Sequence, residues 1–145
     1  MKKIFLSYLS LITIAVFWLS PHADAASKTE RRYDGSGKYV GRSVHSAKGT
    51  IRHYDRSGRQ AGKETLSKST SRRYDASGRY SGRSTFSKSG QRHYDRSGRS
   101  AGRSVKNGAT TRHYDASGRY SGRSVSSGNG IRHYDRSGRY TGRTK

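Results

Sequence analysis

The chain has 145 residues and carries 31 Lys and Arg against 9 Asp and Glu, which gives a formal net charge of +22 at pH 7. Only 28% of its residues are hydrophobic, and a chain this polar and this charged cannot build a globular core of ordinary size. It contains no Cys, which excludes a disulfide framework and lipidation at Cys.

The first 25 residues have the composition of an export signal. Lys2 and Lys3 precede an apolar run over residues 4–19, and Ala23-Asp24-Ala25 offers small residues to a signal peptidase. The run of 16 residues is shorter than the roughly 20 needed to span a bilayer, which favours a cleaved helical signal peptide over an uncleaved anchor. We therefore predict cleavage near Ala25, a periplasmic or secreted bacterial protein, and no stable transmembrane segment after cleavage.

A repeat dominates residues 26–145. Removing Lys2, Lys3 and Asp24 from the totals leaves 29 basic and 8 acidic residues there, a net charge of +21. After a polar lead-in at residues 26–30, six units begin near residues 31, 52, 72, 92, 112 and 132, and the last unit lacks its second half. Composition alone would suit disorder, but a fixed period near 20 residues that keeps Tyr-Asp-x-Ser-Gly in register favours a folded repeat.

Each unit has the pattern of two strands joined by a tight turn. In Asp115-Ala116-Ser117-Gly118 the Asp can accept turn hydrogen bonds and the Gly can take a positive φ, which predicts a three-residue hairpin loop. This loop places Tyr114 opposite Tyr120 and Arg112 opposite Gly122, so that the Tyr pair and a Gly share one face. The residues with this predicted structural turn role are Asp55, Gly58, Asp75, Gly78, Asp95, Gly98, Asp115, Gly118, Asp135 and Gly138.

The repeat predicts an all-β fold in which tandem hairpins form an extended meander, a spiral or a solenoid-like sheet without a conventional globular core. A single hairpin is marginally stable, so stability must come from unit packing against unit. We expect a continuous Tyr ladder on one face of the sheet and an Asp–Arg ladder on the other.

The Tyr-Asp-x-x-Gly-Arg motif resembles the YD repeats of Rhs-type secreted bacterial proteins. Residues 130–140 and 90–99 follow that pattern, in which a Gly and a few residues precede the motif. The residue after Gly-Arg departs from it, because Tyr, Gln or Ser stands where the family has an apolar residue. The resemblance implies an extended sheet of hairpins that winds into a spiral, with carbohydrate or surface binding in some members.

The repeated His and Asp residues favour structural roles. A basic residue precedes the repeated Tyr in every unit: His53, His93, His113 and His133 in four units, Arg32 and Arg73 in the other two. Because Arg does not ligate metals in such a setting, we interpret this as a half-exposed strand position that could respond to pH, and not as a metal ladder. Six equivalent Asp suit turn capping better than a single asymmetric active site. We therefore predict no metal, no cofactor and no enzymatic activity.

The Arg residues carry the strongest functional signal. Guanidinium groups bind phosphate or sulfate, and interleaved Tyr rings stack on bases or sugars, so the array suits an anionic polymer. A merely solubilising surface does not require so much repulsive charge. The predicted polyanion-binding residues are Arg72, Arg79, Arg83, Arg92, Arg99, Arg103, Arg112, Arg119, Arg123, Arg132, Arg139 and Arg143, and the predicted stacking residues are Tyr80, Tyr120 and Tyr140.

The sequence thus predicts a secreted, non-enzymatic protein that binds an anionic polymer: an envelope glycolipid such as lipopolysaccharide, an acidic polysaccharide, or extracellular nucleic acid. The alternative is a structural envelope or surface protein that self-associates through the exposed edges of its sheet, since unpaired edges invite pairing.

Overall fold

A computed structural model of the protein describes residues 27–145. These residues form twelve antiparallel strands and contain no helix, and hence none long and apolar enough to cross a membrane. The predicted signal peptide lies outside the described residues. The strands are β1 (Lys28–Asp34), β2 (Tyr39–His45), β3 (Thr50–Asp55), β4 (Gln60–Leu66), β5 (Thr70–Asp75), β6 (Tyr80–Ser87), β7 (Gly90–Asp95), β8 (Ser100–Asn107), β9 (Thr110–Tyr114), β10 (Tyr120–Ser127), β11 (Gly130–Asp135) and β12 (Tyr140–Thr144).

The twelve strands close into a barrel. Each strand pairs with its neighbours in sequence, and β12 pairs with β1 through partners such as Tyr33 and Arg143. Two backbone hydrogen bonds between Arg31 and Lys145, of 2.7 and 2.8 Å, extend this closing pair. The all-β tandem hairpins are confirmed. The meander of hairpins is confirmed as well, but because it closes on itself, the expectation of an extended, spiral or solenoid-like sheet is wrong.

The cause of closure is a register shift that every hairpin repeats. Within one hairpin Arg112 faces Arg123, but towards the next hairpin Arg123 faces Tyr134, so the equivalent Arg132 lies two residues away. A constant shift in one direction tilts all strands alike, and a tilted, twisted sheet can curve until its two edges meet. Closure satisfies the edge backbone groups that an open sheet would expose.

The Asp-x-Ser-Gly turn has the predicted hairpin geometry. Asp115 N–H donates to Arg119 C=O at 2.9 Å and Gly118 N–H donates to Asp115 C=O at 3.1 Å. Gly118 has φ +83°, a left-handed value that favours Gly. Tyr114 faces Tyr120, which confirms that part of the register.

Beyond the Tyr pair the predicted register is wrong. Ser121 is an extra residue in a β-bulge, so that Gly122 faces His113 and Arg112 faces Arg123. A one-residue slip moves every following side chain to the opposite face of the sheet. The Gly therefore lies on the inner face, and the Arg joins Tyr114 on the outer face.

The inner Gly is required by close backbone approach. Gly62 has φ +156°, and a Cβ built there would stand 2.6 Å from the carbonyl oxygen of Tyr74 on the adjacent strand. Any side chain at this position would push the strands apart. The position is Gly in all six hairpins: Gly41, Gly62, Gly82, Gly102, Gly122 and Gly142.

The interior of the barrel is polar. Ile51 is the one buried hydrophobic residue among residues 27–145. The repeated His face this interior: His53, His93 and His133 are buried, so their interpretation as half-exposed strand residues is wrong, whereas His113 is half-buried. The buried polar residues are Glu30, Ser43, His45, His53, Glu64, Ser71, Ser84, Gln91, His93, Ser104, Thr111, Ser124 and His133.

Ser and His side chains form a hydrogen-bonded chain around more than half of this interior. It begins where Arg73 Nη1 donates to Ser84 Oγ at 3.0 Å. Six further links of 2.9–3.0 Å then connect Ser84, His93, Ser104, His113, Ser124, His133 and Thr144 in that order. Each hydroxyl has one proton and two lone pairs, and each neutral His has one donor and one acceptor nitrogen, so the links can run in either direction with every ring nitrogen satisfied.

Burial keeps the repeated histidines neutral at neutral pH. Burial lowers the pKa of His53, His93, His113 and His133 from 6.5 to about 4. At neutral pH each ring therefore accepts at one nitrogen and can donate at the other. This hydrogen-bonded series of side chains can lie in a buried interior because Arg73 is its only charged member.

Two carboxylates interrupt the Ser–His pattern. Glu64 occupies the position that Ser104 holds in β8; it is 0% exposed, and burial raises its pKa against the opposing influence of Ser71 and Arg73. Glu30 contacts Lys28 at 3.0 Å and His45 at 3.3 Å; burial alone would raise its pKa, but these contacts lower it. The positive charge of Arg73 thus acts on the pKa of Glu64 in the direction opposite to burial.

Candidate polyanion-binding surface

The outer face of the barrel carries one basic side chain from each strand, at a single level around the wall. Within each hairpin two of them are direct Cα partners, as Arg112 and Arg123 are. We call this ring of twelve residues the basic belt. Its six pairs are Arg31/Arg42, Arg52/Lys63, Arg72/Arg83, Arg92/Arg103, Arg112/Arg123 and Arg132/Arg143.

The belt has no acidic partners in the sheet. Of the eight acids in residues 27–145, Glu30 and Glu64 face the interior and the six Asp lie in the hairpin turns. Within the same residues the only ion pairs join Glu30 to Lys28 and His45. Like charges directly opposite each other on a sheet are destabilising. The fold therefore maintains six like-charge pairs with no carboxylate beside them.

The two members of each pair have different surroundings. The second member lies over the Tyr ring of the next hairpin, as Arg123 does over Tyr134 at 5.0 Å. The other such contacts, of 4.8–5.3 Å, are Arg42–Tyr54, Lys63–Tyr74, Arg83–Tyr94, Arg103–Tyr114 and, across the closing pair, Arg143–Tyr33. These cation–π contacts restrain the second members. The first members, which are all exposed, are Arg31, Arg52, Arg72, Arg92, Arg112 and Arg132.

Tyr rings border the belt. Four hairpins contain an edge-to-face pair with centroids 6.0–6.1 Å apart: Tyr33–Tyr39, Tyr74–Tyr80, Tyr114–Tyr120 and Tyr134–Tyr140. From one hairpin to the next the contact is a cation over a ring, so the expected continuous Tyr ladder is replaced by pairs linked through basic side chains. Tyr80, Tyr120 and Tyr140 are 37–39% exposed and can present an aromatic surface to a ligand.

The predicted Arg array divides into two separate groups. Arg72, Arg83, Arg92, Arg103, Arg112, Arg123, Arg132 and Arg143 lie in the belt. Arg79, Arg99, Arg119 and Arg139 lie at the hairpin turns, where their backbone N–H groups donate to the turn Asp at 2.9 Å. We call these four residues the turn rim.

The turn Asp side chains serve the hairpin loop. Asp115 Oδ1 accepts from the Ser117 and Arg119 backbone N–H groups at 2.9 Å and from the Ser117 hydroxyl at 2.7 Å. These bonds, the Ser117 hydroxyl first, hold the pKa of Asp115 below its ordinary value. Equivalent bonds from the backbone occur at Asp55, Asp75, Asp95 and Asp135, with Gly58, Gly78, Gly98 and Gly138 following at φ of +80 to +83°. The expected Asp–Arg ladder is thus a set of local turns.

Four belt residues were missed by the sequence reasoning: Arg31, Arg42, Arg52 and Lys63. A usable signal was present, because Arg31 and Arg52 stand two residues before Tyr33 and Tyr54 as Arg112 does before Tyr114. What the repeat alone did not reveal was that Arg112 and Arg123 share a face.

The belt deepens into a cavity near the closing pair. This cavity has a volume of about 560 Å³ and is lined by the β10–β11 turn and by Lys28, Arg132, Arg143 and Lys145. Two of these residues belong to the belt, and no acidic side chain lines the cavity. It offers a recessed basic surface continuous with the belt.

No protein-family model matches the chain, and a search of curated proteins finds no relative. The functional argument therefore rests on the geometry of the belt.

Proposed function

We propose that the protein binds an anionic polymer through the basic belt. The observation that carries this proposal is the ring of six like-charge pairs with no carboxylate beside them in the sheet. Phosphate or sulfate groups placed between paired guanidiniums would replace repulsion with charge-assisted hydrogen bonds. The free first members of the pairs are the primary ligands, and the exposed Tyr rings add contact area.

The predicted export signal directs this proposal towards ligands outside the cytoplasm. Lipopolysaccharide, acidic polysaccharide and extracellular nucleic acid all present repeated anionic groups. Carbohydrate or surface binding is also what the YD-repeat resemblance implies. We propose a periplasmic or secreted binding protein on these grounds.

The buried Ser–His contacts favour a binding function over catalysis. Ser104 approaches His93 and His113 at 3.0 Å, a distance that a nucleophile and its base could share. However, Ser104 is 4% exposed, and the same contact recurs at Ser84 and Ser124, which are 0% and 1% exposed. Equivalent buried Ser–His contacts on several strands suit a structural role better than a single active site.

Barrel closure weakens the alternative function of self-assembly through sheet edges. That alternative depends on unpaired strands at the two ends of the repeat array. Among residues 27–145, β1 and β12 pair with each other, so every described strand has two neighbours. Edge-to-edge association would first require this closing pair to separate.

The test compares two triple variants of equal charge. We expect R72Q/R92Q/R112Q in the belt to reduce the slope of log K against log salt for heparin or lipopolysaccharide by about three, one per lost contact. The matched control is R79Q/R99Q/R119Q in the turn rim, which should have the smaller effect. Equal losses in both variants, or wild-type binding that does not depend on salt, would contradict the proposal.

A further inference from the structure

We propose, on the basis of the function proposed above, that the preferred ligand is a flexible polyanionic chain that wraps around the belt and is recognised by its charge. A stiff polyanion would contact only one side. The argument rests on the convex, closed course of the belt and on the distribution of charge and aromatic rings along it.

The dimensions of the barrel favour a flexible ligand. Twelve strands about 4.8 Å apart and tilted by about 35–45° enclose a backbone circumference of roughly 70–80 Å. The six pairs are spread over this whole circumference. Duplex DNA, with a persistence length of about 500 Å, would meet so curved a surface at a tangent and reach only the pairs on one side. A flexible chain can follow the curve and reach all six.

Every hairpin has a pair of basic residues, but not every hairpin has the exposed Tyr. A basic pair is present in all six hairpins. The position of Tyr120, in contrast, is Gln60 in the second hairpin and Ser100 in the fourth. One face of the other Tyr, such as Tyr134, is already covered by a cation. Charge is therefore available around the whole ring, whereas stacking is available only in parts of it.

The test uses two triple variants that remove the same charge in different arrangements. The contiguous variant, R92Q/R112Q/R132Q, removes the first members of three neighbouring hairpins and leaves the opposite half of the belt intact. The alternating variant, R52Q/R92Q/R132Q, removes the first member of every second hairpin and leaves no half of the belt intact. All the substituted residues are exposed first members outside the cation–π contacts, so both variants should keep the wild-type circular dichroism spectrum and melt at or above the wild-type temperature.

The probes are a 30-nucleotide oligo-dT, its duplex with oligo-dA, and inorganic polyphosphate, each titrated against the purified protein at several salt concentrations. For the two flexible probes we expect both variants to lose affinity equally, with the slope of log K against log salt reduced by about two to three. For the duplex, the contiguous variant should stay within about twofold of wild type, the statistical cost of losing half of the equivalent positions, while the alternating variant weakens more.

The outcomes separate this inference from the proposed function. Wild-type affinity of the contiguous variant for oligo-dT and polyphosphate would overturn wrapping while leaving polyanion binding in place. Binding of oligo-dT without binding of polyphosphate would overturn recognition by charge and assign it to the bases. If the wild-type protein binds none of these probes, heparin or lipopolysaccharide, the proposed function fails, and the inference fails with it.

Discussion

The inner and outer faces of the barrel wall are both polar, but they are in opposite electrostatic states. On the inner face His93, His113 and His133 are neutral, both of their ring nitrogens are hydrogen bonded to Ser or Thr hydroxyls, and Arg73 lies near Glu64. On the outer face Arg112 stands opposite Arg123, and no acid separates them. The same alternating strand carries both patterns, because neighbouring side chains point to opposite sides of the sheet.

The difference shows which residues the fold needs. Inner polar groups without partners would destabilise the folded state, so their partners are part of the fold. The first members of the basic pairs, which make no cation–π contact, repel their partners and would be less costly to the fold if they were neutral. Their repetition in all six hairpins supports the proposed binding function.

The largest expected effect is acid unfolding through the inner face. The four inner histidines have pKa values of about 4 in the folded protein against 6.5 when exposed. Between these values the unfolded chain binds protons that the folded chain does not, so stability is complete above pH 6.5 and falls as the pH drops towards 4. Each His contributes about 1.4 kcal/mol per pH unit in this window. Glu64 acts in the opposite direction, because its pKa is raised, but it is one group against four.

Urea unfolding followed by circular dichroism at pH 7.5, 6, 5 and 4.5 measures this effect. Added salt screens the outer repulsion and should raise stability at each pH without removing the pH dependence. Equal unfolding midpoints at pH 7.5 and 4.5 would show that the histidines are not buried and neutral.

A smaller loss of stability is expected when one hydroxyl of the buried Ser–His hydrogen-bonded series is removed. Ser104→Ala leaves His93 Nε2 and His113 Nδ1 without their shared hydroxyl partner, which should lower the free energy of unfolding by about 2–5 kcal/mol. The control is Ser121→Ala on the exposed bulge, where Ala61 and Ala101 occupy the equivalent positions, with an expected change within about 0.5 kcal/mol. Similar losses for both variants in chemical denaturation would mean that the chain does not contribute to stability.

The smallest effect is expected on the outer face. Arg112→Gln removes one side of a repulsive pair and should leave stability unchanged or raise it by about 0.2–1 kcal/mol at low salt. Arg123→Gln also removes the cation over Tyr134, which offsets that gain by about 0.5–1 kcal/mol. Thermal melts at two salt concentrations distinguish the variants. A loss of more than about 1 kcal/mol for Arg112→Gln would assign the belt a structural role.

Much of the site could be predicted because its residues recur with the repeat. The period identified Arg72, Arg92, Arg112 and Arg132 as one equivalent set, and the turn chemistry placed Tyr114 opposite Tyr120. The sequence reasoning grouped Arg119 with Arg123 because they are four apart. The bulge at Ser121 separates them, since it moves Gly122 inward and Arg123 to the outer face of the sheet.

By itself the sequence determined the hairpin, because the interactions that form it are local: Asp115 meets the backbone of Ser117 and Arg119 within four residues. The tertiary structure decided which face became the interior, that the histidines lie inside it, and that β12 returns to β1. These features depend on a one-residue bulge and a two-residue shift that every hairpin repeats. Their effect is small in a single unit and accumulates to a closed barrel only over all twelve strands.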